Sequence, residues 1–296
     1  VGLREFLAEH DAELRGPKPF FYAQHLLLRN TGTAPWCRWV DNGVNTKTLS
    51  AYPNCVAITG HTHIGLADDH NLWRGAFTEI GAGSTWTQHC YGGRENSALP
   101  AGDSLSLAAE TQMADMEIMG QPGLVLHVYD DALVFERYDF LSRGKIAHDL
   151  TVPWPPKPAT DEERAASVPV PQFPPGARLE LETRNTENRS GRWTIVMNCE
   201  FPSARVPDGH RVFDYEIRAV PKDGSAPLVK SFFSPAYASL PKDEPERQRF
   251  WFDVAELPQD KEYVIEVRAR NCYGLGSVPL VSGTWRGKPG LAQARK

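Results

Sequence analysis

His61 and His63 flank Thr62 in the run Gly60-His61-Thr62-His63, directly after the apolar stretch Cys55-Val56-Ala57-Ile58-Thr59. Two imidazoles leaving an extended backbone two residues apart point to the same side. Such a pair serves one divalent ion, or one each of two adjacent ions. A glycine before the pair permits a tight turn and a close backbone approach to a ligand. A third histidine, His25, closes an earlier apolar run, Phe20-Phe21-Tyr22-Ala23-Gln24. Ends of neighbouring strands in an α/β sheet are common places for ligand sites. Three histidines gathered there describe a metal-ligand cluster.

The elements that must position these residues are readable. Leu3, Phe6, Leu7 and Leu14 follow helical spacing, and Gly16-Pro17 ends that helix. Phe20–Ala23 and Cys55–Thr59 read as short buried strands, with a helix-poor stretch over residues 26–50 between them. Further strands are expected at Phe77–Ala82, Leu124–Tyr129 and Ala132–Tyr138. The last two flank Asp130-Asp131, which suits a hairpin turn. Ile146–Trp154 closes the unit. Eight prolines between residues 153 and 175 then exclude helix interior and central strand, and the segment reads as a stiff linker.

From about residue 177 the pattern is all strand. Leu179/Leu181, Trp193/Ile195/Met197, Phe213/Tyr215/Ile217, Phe250/Phe252 and Tyr263/Ile265/Val267 each alternate with polar residues. Regular short strands without a helix signal indicate a β-sandwich.

With these elements in place, the first 155 residues resemble the C-terminal half of a calcineurin-like metallophosphoesterase. That family carries Asp-x-His, Gly-Asp-x-x-Asp, Gly-Asn-His-(Asp/Glu), a lone His after a strand, and Gly-His-x-His, in that order. Phe21-Tyr22-Ala23-Gln24-His25 matches the fourth and Gly60-His61-Thr62-His63 the fifth; the first three are missing. The resemblance implies two divalent ions (iron, manganese or zinc) and hydrolysis of a phosphate ester. It implies that His25 and His61 ligate one ion and His63 the other. The third-motif histidine that assists the leaving group has no counterpart, so the chain alone is expected to be inactive. Asp68-Asp69-His70 offers carboxylates but follows the pair in a loop and is not expected to touch metal. Arg29, Asn30, Trp36, Arg38 and Trp39 fall where a substrate-facing loop would lie; they also read as a loop packed by its own tryptophans. His10, His89, His127 and His148 read as isolated, structural or exposed. Two other His-x-His families fit less well. A metallo-β-lactamase pattern needs Asp and His where Gly65 and Leu66 stand. An amidohydrolase barrel needs far more alternating strand and helix after the pair than the chain supplies before its prolines.

In the second half, Leu257, Tyr263 and the run Val267-Arg268-Ala269-Arg270-Asn271-Cys272-Tyr273-Gly274 resemble the sixth strand of a fibronectin type III domain. The Leu-to-Tyr spacing matches a tyrosine corner, in which the phenol bonds upstream backbone. The expected architecture is therefore α/β, half of a metallophosphatase sandwich, over 1–155. A proline-rich linker over 156–176 and an all-β fibronectin type III-like sandwich over 177–290 follow. The sandwich carries no cluster of titratable groups and is expected to space, dock or bind a protein or carbohydrate partner. Two functional readings stand: a metal-dependent phosphoesterase, and an inactive scaffold acting through the sandwich.

Composition bounds both readings. The chain has 296 residues, 41% hydrophobic and 23% charged, which describes an ordinary globular protein. A net charge of -5 argues against a broad nucleic-acid-binding patch. No stretch approaches the ~18 apolar residues of a membrane span. Five cysteines without Cys-x-x-Cys spacing exclude a zinc ribbon, and Cys199 and Cys272 are expected as thiols rather than a disulfide. The start at Val1, already helical in pattern, reads as a piece of something longer; an exported location is expected.

Overall fold

The computed structural model describes residues 2–32, 42–85, 89–91, 104–106, 120–187, 193–238, 244–258 and 260–287. Trp36, Arg38 and Trp39 lie outside them. In chain order the first part contains α1 (Leu3–Glu9), α2 (Asp11–Leu14), β1 (Phe20–Gln24), α3 (Val44–Leu49) and β2 (Cys55–Thr59). It continues with β3 (Leu72–Arg74), β4 (Thr78–Gly81), β5 (His89–Tyr91), β6 (Ser104–Ser106) and β7 (Pro122–Val128). It closes with β8 (Ala132–Asp139), β9 (Gly144–Lys145) and β10 (Leu150–Pro153).

β1, β2, β4 and β3 form one sheet in that order; β1–β2 and β2–β4 are parallel and β3–β4 antiparallel. β10, β8 and β7 form a second, antiparallel sheet. The alternation of β2 shows how the layers stack. Cys55 and Ala57 pack with Leu7, Leu49, Tyr52 and Phe77 on the helical side. Val56 packs with Leu133, Phe135, Leu150 and Val152 of the second sheet. A period of two thus buries both faces of one strand. Helices, mixed sheet and antiparallel sheet make three layers.

Two local expectations change and one holds. The first helix breaks at His10 (φ -106°, ψ 14°), giving α1 and α2. Phe6 is half exposed and lies against His10, tilted by 43° with ring centroids 4.6 Å apart. The stretch read as helix-poor contains α3: Asn42 Oδ1 accepts from the Val44 N–H at 3.0 Å, and Leu49 is fully buried beneath it. The hairpin is as expected, with the Tyr129 N–H donating to the Ala132 carbonyl at 2.8 Å across Asp130-Asp131.

The proline-rich segment bonds to both halves. Arg74 Nη2 donates to the Lys157 carbonyl (2.8 Å) and the Ala159 N–H to the Arg74 carbonyl (2.9 Å). Its proline-free part forms α4 (Asp161–Ala165), started by a reciprocal Thr160–Glu163 capping box. Further on, Gln172 pairs with Arg205.

The remainder is β11 (Glu180–Glu187), β12 (Trp193–Pro202), β13 (Asp214–Pro221), β14 (Leu228–Phe233), α5 (Pro235–Ala238), β15 (Arg247–Asp253), β16 (Glu262–Arg270) and β17 (Leu280–Arg286). Sheet β11-β12-β15 faces sheet β14-β13-β16-β17. Between them lies a core that includes Met197, Phe201, Tyr215, Phe250, Phe252, Ile265 and Trp285. This half is an all-β sandwich. Tyr263 Oη donates to the Pro258 carbonyl at 3.4 Å, the upstream bond expected of it. Cys55, Cys199 and Cys272 form no disulfide.

The two halves share a core. Leu66, Ala67, Ile146 and Ala147 of the first pack with Phe213, Phe233, Tyr237 and Cys272 of the second. Backbone bonds cross the same seam: the His148 N–H donates to the Gly209 carbonyl at 2.9 Å. No described helix is long and apolar enough to cross a membrane.

Candidate functional site

β1 and β2 run parallel, with Gln24 opposite Thr59. His25 and Gly60 therefore leave adjacent strand ends together, and the Gly60 N–H donates to the His25 carbonyl at 3.1 Å. That pairing brings His25 Nε2 within 2.9 Å of His61 Nδ1, with ring centroids 4.8 Å apart and planes at 73°.

The backbone reaches this geometry differently from the extended reading. The strand stops at Thr59, and His61 (φ 64°) and His63 (φ 53°) both occupy the left-handed region. Non-glycine residues rarely adopt it, and such residues cluster at ligand sites. Gly60 is not the residue with the unusual φ, and a Cβ there would meet the His25 carbonyl at an ordinary 3.6 Å. The turn is made by the histidines themselves.

Several residues absent from the sequence reading hold the site. Asn45 of α3 donates to Tyr22 Oη (3.1 Å) and Gln24 Oε1 (3.0 Å), while Tyr22 Oη also donates to Gln24 Oε1 (2.7 Å). This network fixes the residue before His25. On the neighbouring strand, Glu79 is fully buried and its Oε1 accepts from Thr59 Oγ1. Burial raises its carboxyl to about 8, against a smaller opposing pull from the Thr59 and Thr31 hydroxyls. His61 is shifted down, first by burial and then by the charges of His25 and His63. The shift keeps its nitrogen unprotonated and able to ligate.

The donor set can be tested against an ion by geometry. Nitrogens roughly 2.0–2.1 Å from one ion and 2.9 Å apart subtend about 90° there, a normal cis angle. His25 and His61 thus fit one ion between them. His63 does not complete a three-ligand group with them; it approaches closely enough to influence His61. Arg29 and Asn30 are exposed, with Asn30 at φ 63°.

Two groups of three convergent ligand atoms occur among the described residues, both in places read from sequence as unremarkable: Asp69/His148/His210 and Asp68/His70/Cys272. The first is already occupied by a protein cation. Arg137 is wholly buried; its Nη1 donates to Asp69 Oδ1 (2.7 Å) and its Nη2 meets His148 Nδ1 (2.9 Å). A guanidinium has no acceptor, so His148 Nδ1 must accept and its proton sits on Nε2, where an ion would have to bind. His148 is pushed down to about 3, chiefly by burial, and stacks on His210 at 3.5 Å. The histidine expected to be isolated is therefore the centre of a buried polar clasp between the halves. Nothing in its local sequence signals this, because its partners Arg137 and His210 come from elsewhere in the chain.

No protein-family model and no curated protein matches the chain.

Proposed function

We propose that the first half carries the last two metal-ligand motifs of a calcineurin-like phosphoesterase centre, and that the second half is a fibronectin type III-like module. The observation that carries this reading is the His25 Nε2–His61 Nδ1 approach of 2.9 Å at the ends of adjacent parallel strands. The stacking of a helical layer on two sheets is what half of such an αββα sandwich requires. The three- and four-stranded sheets, in their strand order, suit the fibronectin-type reading, as does the Tyr263 bond.

Two divalent ions (iron, manganese or zinc) would supply neutralisation of the phosphoryl oxygens and an activated nucleophile. His25 and His61 would hold one ion, on release of the proton now shared in their 2.9 Å contact, and His63, on the same turn, would hold the other. The buried Thr59–Glu79 contact anchors the strand end from which that turn departs. Arg29, which is exposed and lies four residues after His25, would be the cation to meet a phosphate ester.

The test is hydrolysis of an aryl phosphate with added manganese, by a parent chain bearing the three earlier motifs. His61→Ala is expected to exceed the roughly 10–100-fold loss typical of outer-shell changes. Unchanged turnover and metal content in that variant would overturn the reading. The inactive-scaffold alternative has one observation in its favour: no carboxylate among the described residues joins these histidines in a three-ligand group. Asp-x-His and Gly-Asn-His motifs in frame upstream of Val1 would eliminate it.

A further inference from the structure

Asp68 and His70 lie on the loop that continues from His63, and Cys272 follows β16 in the sandwich. They are 1%, 7% and 6% exposed, and one ligand atom from each lies within 4.8 Å of the other two. Asp68 Oδ1 accepts from the His70 backbone N–H at 3.0 Å and lies 3.0 Å from His70 Nδ1, so both ligand atoms already face one another in the ion-free site.

The surroundings are those of an oriented ligand set. Tyr237 Oη donates to Asp68 Oδ2 at 3.1 Å, leaving Oδ1 towards the histidine. Asp161 Oδ2 stands 3.9 Å from His70 Nε2, on the opposite side of the ring. Tyr273 lies against the same imidazole, tilted by 43° with ring centroids 4.6 Å apart.

We propose that Asp68, His70 and Cys272 bind a zinc ion that staples the two halves together, separate from the His25/His61/His63 site. Charge supports the assignment. One carboxylate, one thiolate and a neutral imidazole balance a dication, so the buried site is neutral when filled. The thiolate selects zinc over manganese or magnesium. On binding, Cys272 gives its proton to solvent as the Zn–S bond forms. His70 moves its proton from Nδ1 to Nε2, facing Asp161, and Nδ1 bonds the ion. Ligand atoms around tetrahedral zinc sit roughly 3.3–3.8 Å apart. Binding therefore opens the 3.0 Å Asp68–His70 contact slightly and draws in whichever atoms stand near the 4.8 Å limit, and water fills the fourth position.

Cobalt(II) tests this directly, because only a cysteine ligand gives a thiolate-to-cobalt charge-transfer band. The chelator-treated 296-residue chain, titrated with cobalt(II), is expected to show that band. It should survive in His61→Ala and disappear in Cys272→Ser and His70→Ala. No band in cobalt-loaded wild-type chain, or a band unchanged in Cys272→Ser, overturns the proposal. Should the variants not fold, wild-type chain is alkylated just below its denaturant midpoint with and without zinc. Protection of Cys272 by zinc is expected; equal alkylation overturns the proposal.

Discussion

Arg137 is the residue with the most to lose. Its guanidinium is fully buried and spends its donors on Asp69, His148 and the Leu66 carbonyl. Arg137→Met leaves the Asp69 charge buried and unpaired, at a cost of about 3–5 kcal/mol. Urea unfolding should show a lower midpoint with an unchanged slope. Two other buried groups give opposite pH dependences. Glu79 is raised from 4.5 to about 8. Between those values the unfolded chain has lost a proton that the folded chain keeps. Its contribution is thus fullest below pH 4.5 and falls as pH rises, by about 1.4 kcal/mol per unit. Glu79→Gln should abolish that slope in denaturation curves taken across the range. His148 is lowered from 6.5 to about 3, so its contribution is present above pH 6.5 and is lost as pH falls towards 3. Acid unfolding should begin below pH 6.5 and start later in a variant whose residue 148 does not titrate. The approach of His25 to His61 was legible because each closes an apolar strand run, and the two strands pair in parallel with their ends level. The Asp68–His70 group was not, since Tyr237 joins it from 169 residues away.

At the scale of elements, strands were easier to read than the breaks between them. Alternation over Ala132–Asp139 and Glu262–Arg270 is regular because each strand presents one face to a core. The left-handed turn at His61 and His63 left no such trace, as neither residue is glycine or asparagine. α3 was missed because only Leu49 is buried on it, too little for an apolar period. β1 ends its sheet, paired on one side by β2, and Phe21 on it is 48% exposed. Among the described residues no strand pairs with the other side of β1, and such an edge is a template for pairing with a second chain. Phe21→Lys is expected to shift the chain towards monomer in light scattering at increasing concentration. An unchanged mass distribution would show that this edge does not pair with other chains.

For the whole molecule, proline density suggested a spacer between independent units, whereas the segment bonds to both and the units share a core. The cause is again long-range: apolar residues at 66, 67, 213, 233 and 237 look like ordinary members of their own halves until they meet. Phe213 is fully buried there, in edge contact with Tyr237 at 4.8 Å. Phe213→Ala should cost about 3–5 kcal/mol. Hydrogen exchange should rise in β2 and β8 as well as in the sandwich, with one unfolding transition in both variant and parent. The short run from His63 to His70 has a consequence for inheritance. One end carries a candidate ligand and the other is locked beneath Tyr237 and Tyr273 of the sandwich. A gene rearrangement that joined this first half to a different sandwich would bring no matching lock. The two halves are therefore expected to pass between lineages as one piece, and chimaeras cut at the prolines should fail unless both tyrosines travel with the graft.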